Sequence, residues 1–159
     1  MKTKMLLIPA LILTLVLAAS ASGMASADGA VVPFKAFYSG VPIGIPVFPW
    51  INQTFEFNGN ATHLGLSHFS ATGQTYMLPP MPQYGTMTLT AADGSELFGY
   101  YEGNGEAVSP GVFEFGGEYW IDGGTGRFEG VTGEGVYWGT ATTGANAWGD
   151  LYFDGLLYK

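Results

Sequence analysis

After Asp28 the chain never sustains a helical pattern, and that most narrows what it can fold into. Short runs of alternating apolar and polar residues are cut by glycine or proline roughly every dozen residues, the pattern of an all-β sandwich or barrel. Eight runs read as strands: Val31–Ser39, Gln53–Gly59, Leu64–Thr72, Tyr84–Ala91, Glu96–Gly103, Val112–Ile121, Val131–Ala141 and Trp148–Tyr158. Two proline-rich stretches, Val41–Trp50 and Pro79–Pro82, read as connections, because proline cannot donate to a central ladder. Asp93-Gly94 predicts a type I′ hairpin, and Gly116-Gly117 predicts a bulge. The 25 glycines suit the tight curvature of a small barrel. Eight strands is also the number at which a closed barrel is either filled or holds one small ligand. The expected fold is an eight-stranded antiparallel closed β-barrel, with a two-sheet sandwich as the alternative.

The first residues read differently. Lys2 and Lys4 precede an apolar run from Met5 to Ala19, followed by small residues ending in Ala25-Ser26-Ala27. That is the layout of a cleavable signal peptide, and the run is shorter than a membrane span. Residues 1–27 are therefore expected to be a leader and residues 28–159 one domain, exported to the periplasm or beyond; Ala19-Ser20-Ala21 is the other cleavage pattern. Cleavage leaves Lys35, Arg127 and Lys159 against 13 carboxylates. Such a surface repels phosphate backbones and anionic lipid, so neither nucleic acid nor a membrane surface is an expected partner. With no cysteine, the domain has no disulfides, thiol catalysis or zinc-thiolate site.

The most distinctive stretch is Gly123-Gly124-Thr125-Gly126-Arg127-Phe128-Glu129-Gly130-Val131-Thr132-Gly133. It resembles the loop-and-strand signature of plant dirigent proteins and allene oxide cyclases, whose shared fold is an eight-stranded antiparallel barrel with a cavity. Gly59-Asn60-Ala61-Thr62-His63-Leu64-Gly65 is similar to a stretch found with the first in exported bacterial proteins. The resemblance implies the barrel. No catalytic residue of either family has a counterpart here; Phe34–Ser39 lacks the carboxylate that the cyclases carry on their first strand. From the residues themselves, Gly123, Gly124 and Gly126 predict special backbone geometry, Phe128 predicts a plug at one barrel end, and Gly130 and Gly133 are expected to let the next strand bend.

Candidate chemistry is sparse. His63 and His68 are five residues apart and so fall on opposite strand faces, which argues against a shared metal. His68 shares parity with Leu64 and Leu66, an interior position open to a general-base role, against the ordinary structural one. Ser67, Ser70 and Ser109 lack a nucleophile elbow. Glu56 and Glu114 alternate with phenylalanines as outward charges would, while Glu96 and Glu102 are read as outward beside Phe98 and Tyr100. Asn52 and Asn60 head glycosylation-type triplets that are not expected to carry glycan. The expected function is binding of a small apolar molecule in the barrel, with a cyclase-like or isomerase-like activity left open and no cofactor or metal. The predicted lining is Phe55, Phe57, Leu66, His68, Phe113, Phe115, Leu151 and Phe153, with Gly99, Gly133 and Gly135 leaving room. The competing reading is a filled barrel that serves as a structural or protein-interaction module; self-association is left open under both.

Overall fold

The computed structural model describes residues 29–159, so the proposed leader and its cleavage sites lie outside the described residues. Eight antiparallel strands form a closed barrel in sequence order: β1 (Val31–Val47), β2 (Trp50–Ala61), β3 (Gly65–Tyr76), β4 (Pro82–Ala91), β5 (Glu96–Ser109), β6 (Val112–Gly124), β7 (Thr132–Thr142) and β8 (Trp148–Tyr158). β1 pairs with both β2 and β8, which closes the ring. A single 3₁₀ turn, Gly126–Phe128, lies between β6 and β7.

Alternation decides what faces inward. Phe34, Ala36 and Tyr38 of β1 are buried, as are Phe57 of β2, Phe69 and Ala71 of β3, and Met87 and Leu89 of β4. The remaining strands contribute Leu97 and Tyr101, Tyr119 and Ile121, Tyr137, and Leu151, Phe153 and Leu157. Aromatic rings dominate this core: Tyr38, Phe69, Tyr119 and Tyr137 all lie within 6.3 Å of Phe153, centroid to centroid. Each such ring contributes roughly 1.5–3 kcal/mol by leaving water, which sustains a domain without cross-links.

Several expectations are corrected. The stretch Val41–Val47 is not a loop but the second half of β1, paired with β2 from Val41↔Glu56 to Val47↔Trp50. Pro42 and Pro46 are tolerated because β8 stops at Gly40↔Gly149, leaving this half of β1 as an edge. Gly116-Gly117 is not a bulge: Gly117 pairs with Gly103 and Gly116 with Asn104. The irregularities fall instead between Phe98 and Gly99, and between Ala107 and Ser109. The Asp93-Gly94 hairpin has only Gly94 in the left-handed region, at φ 82°. Its Asp93 Oδ1 accepts the Ser95 N–H at 3.0 Å, so the loop is not type I′.

Leu66 and His68 point outward, the reverse of their expected orientation. Gly65 sits at φ 71°, breaking the extended backbone between Leu64 and the strand. Leu64 is therefore buried as part of a turn, and its parity does not continue into β3. Phe57↔Phe69 shows the interior register, which leaves Leu66 73% exposed. Gly99 and Gly135 do not open space either. An added Cβ would strike the carbonyl of Trp120 at Gly99, and at Gly135 it would come within 2.7 Å of the Tyr119 hydroxyl. At Gly133 it would meet the Leu157 side chain at 2.7 Å.

Candidate functional site

The two ends of the barrel differ. At one end, Phe34, Leu64, Leu89, Leu97, Phe128, Val131 and Leu157 are all essentially buried and close the interior. Phe128 comes from the glycine-rich stretch after β6 and is 1% exposed. Gly126 and Gly130, at φ 60° and 77°, supply the left-handed residues of that stretch. Gly123 and Gly124 do not have left-handed backbone. Gly124 is needed for space, since a Cβ there would come within 2.5 Å of the Glu96 carbonyl oxygen and 2.7 Å of Phe128.

Arg127 ties this closure together. Its Nη1 donates to Asp93 Oδ2 at 2.6 Å, and its Nη2 donates to the carbonyls of His63 and Leu64 at 3.1 and 3.4 Å. Its guanidinium also lies 4.9 Å from the Phe128 ring centre. One side chain thus joins the β2–β3 turn, the β4–β5 hairpin and the plug. The Asp93 carboxyl is held below its ordinary value, chiefly by the Ser95 N–H, with Arg127 assisting. His63 Nε2 is 3.0 Å from the Pro33 carbonyl, a structural position.

At the other end a cavity of about 490 Å³ opens between two walls. One wall is the β1–β2 hairpin, which extends past the last pairing of β1 with β8. The other is the β5–β6 hairpin, which extends past the last pairing of β4 with β5, at Pro82↔Asn104. Pro42, Ile51, Phe55, Met81, Phe113, Phe115 and Ala141 make most of the lining apolar. The volume lies within the range of small-molecule sites, about 300–1,000 Å³. Below it the interior is packed: the space among Phe57, Met87, Tyr101, Leu151 and Phe153 is about 20 Å³, room for little more than one water. Grooves of 510–630 Å³ also run along the outer wall, but they are shallow and enclose nothing.

The cavity floor is polar. Thr75 and Gln83 are buried, and Gln53 stands beside them. The Thr75 hydroxyl donates to Gln53 Oε1 at 2.8 Å, and Gln83 Nε2 donates to the Tyr137 hydroxyl oxygen at 2.9 Å. Burial pushes the Tyr137 phenol up, only partly offset by that Gln83 bond, so it stays neutral at physiological pH. Glu114 is the only acidic residue among those that line the cavity, and it is exposed, on the strand face opposite Phe113 and Phe115.

The eight residues predicted to line a site therefore separate into three sets. Phe55, Phe113 and Phe115 line the open cavity. Phe57, Leu151 and Phe153 belong to the packed core beneath it. Leu66 and His68 are on the outer wall, where His68 Nε2 contacts Glu56 Oε2 at 2.6 Å, so His68 cannot act as a base on anything in the barrel. Ser67 is buried and shares a 2.8 Å hydrogen bond with Tyr38. Among the described residues, no three His, Asp or Glu side chains converge as a metal site. Sequence reasoning missed Gln53, Thr75 and Gln83. Gln53 continues the inward parity of Phe55 and Phe57, and Thr75 that of Phe69 and Ala71, so parity extended along each strand could have found both.

No family model matches the chain, and neither a curated protein nor a solved structure matches it.

Proposed function

We propose that this chain is an exported binding protein that takes one small, largely apolar molecule into the open end of its barrel. The observation that carries this reading is the cavity itself: about 490 Å³, walled by aliphatic and aromatic side chains, with a packed barrel beneath it. Exported status rests on the leader-like residues 1–27. The cavity supports binding over cyclase-like or isomerase-like chemistry. The one acidic residue in its wall is exposed on the outward strand face, the Tyr137 phenol beneath it is neutral, and both histidines lie outside the barrel.

A second reading, a protein-interaction module, draws support from the outer face of the β1–β2 hairpin. Val41, Ile43, Ile45, Val47 and Phe48 are each more than half exposed there. The hairpin can serve both roles.

The test is titration with diphenylhexatriene, an uncharged hydrocarbon dye that fluoresces when taken out of water. Binding is expected at micromolar concentration, about −8 kcal/mol. Ala141→Trp places an indole in the cavity and should abolish the signal in a protein that still folds. Leu66→Trp, on the outer wall, should leave it unchanged. A dye that binds regardless of Ala141→Trp would rule the cavity out as the site.

A further inference from the structure

We infer that the ligand of this cavity is an uncharged molecule carrying a hydrogen-bond-accepting oxygen, of the ester, ketone or ether class, and that carboxylates are rejected. The inference rests on the binding reading above and adds the chemistry of what is bound.

The first argument is the donor inventory of the floor. Gln53 uses its Oε1 to accept from Thr75, which leaves both Nε2 hydrogens without a side-chain partner. Gln83 spends one Nε2 hydrogen on the Tyr137 oxygen and keeps the other. Amide N–H groups without a side-chain acceptor thus stand on Gln53 and Gln83 at the bottom of an otherwise apolar pocket. A ligand oxygen reaching the floor satisfies them, whereas a pure hydrocarbon strips them of water and returns nothing, which is costly for buried polar groups.

The second argument is where the charges are. All three cations of residues 29–159 lie away from the cavity. Lys35 pairs with Asp154 on the outer wall at 3.1 Å, Arg127 is engaged at the plugged end, and Lys159 is at that end too, its N–H bonded to the Ala30 carbonyl. Glu114 is the one charged residue on the cavity wall, and strand alternation turns its carboxylate to the face opposite Phe113 and Phe115. An anionic ligand would be desolvated without a counter-ion. A cationic head would be desolvated with no carboxylate turned toward it. Neutral ligands alone avoid both costs.

Three probes of one shape separate these claims: methyl para-butylbenzoate, para-butylbenzoate and butylbenzene, each competing with bound diphenylhexatriene at neutral pH. The ester should displace the dye at about tenfold lower concentration than either of the others. Gln53→Leu should erase the ester's advantage over butylbenzene while the dye still binds. Ala141→Lys, which brings a cation to the cavity wall, should narrow the gap between ester and carboxylate, and it keeps the charge argument testable if Gln53→Leu does not fold. If the carboxylate competes as well as the ester, or butylbenzene does, the inference is overturned while the cavity remains a binding site. If neither the dye nor, in direct calorimetric titration, the ester binds the native protein, the binding reading itself fails, and the inference with it.

Discussion

At the level of single residues, two kinds of glycine in this barrel make opposite demands. Gly65 has φ 71° with no atom within 4 Å of where a Cβ would stand, so its requirement is conformational. Gly124 has ordinary backbone but sits against the Glu96 carbonyl and Phe128, so its requirement is space. Chemical denaturation should separate them. Gly65→Ala is expected to cost about 1 kcal/mol and Gly65→Asn less, because asparagine tolerates the left-handed region. Gly124→Ala should cost more, about 2 kcal/mol, and Gly124→Asn should not recover it. Equal recovery by asparagine at both sites would show that space is not the constraint at Gly124. Thr125, directly after Gly124, is not inert, since its hydroxyl accepts the Glu96 N–H at 3.1 Å. Its alanine variant should lose roughly 0.5–1.5 kcal/mol.

Between elements, the plugged end depends on one cation. Arg127 pairs with Asp93 near the surface, where such a pair contributes little, about 0–1 kcal/mol. Its bonds to the His63 and Leu64 carbonyls and its stacking on Phe128 are separate from that charge pair. Arg127→Ala is therefore expected to destabilise by about 2 kcal/mol and Asp93→Asn by clearly less, with a small coupling between the two in a double-mutant cycle. A coupling that accounts for the whole Arg127→Ala effect would contradict this division. The opposite end poses a different problem. There β1 runs unpaired on one side from Val41 to Val47, and its prolines withhold two N–H donors from that edge. Pro42→Thr with Pro46→Thr restores both donors to an apolar strand. Sedimentation should then show more concentration-dependent association than in the native protein; unchanged behaviour would mean the prolines serve only geometry.

Across the whole molecule, four core tyrosines make stability depend on alkaline pH. Burial pushes the Tyr38 and Tyr101 phenols up to about 12, and it pushes Tyr119 and Tyr137 upward as well. Folding thus favours the neutral phenol. That contribution is complete below the unfolded value of about 10 and is lost as pH rises through the folded values. Between roughly pH 10 and 12 each tyrosine should remove up to about 1.4 kcal/mol of stability per pH unit. Denaturation midpoints should fall steeply in that window, with tyrosinate absorbance rising as the barrel opens. A flat stability from pH 10 to 12 would show that these phenols titrate as they do in water. The hydroxyls of Tyr101 and Tyr119 have no hydrogen-bond partner in the core, which leaves desolvation the main cause for both.

Strand number, alternation and closure could be read from the chain because they are local or nearly so. Phe55 and Phe57 alternate with polar neighbours, glycine and proline punctuate the runs, and eight short strands without helices leave few architectures. Which face of a strand turns inward is not local where a turn resets the phase. Leu64, Leu66 and His68 share parity, yet Gly65 puts Leu64 in the interior and the other two outside. Strand length was hidden for a similar reason. Pro42 and Pro46 signal a loop in any central strand, and only the early end of β8 makes their segment an edge that admits them. Whether the barrel is open or filled could not be decided from side-chain size at all. The same aromatic residues pack it solid around Phe153 and leave it open above Gln83, because the β1–β2 and β5–β6 hairpins outrun their neighbours at one end and Phe128 plugs the other. Volume is a property of how strands of unequal length meet, and no single strand contains it.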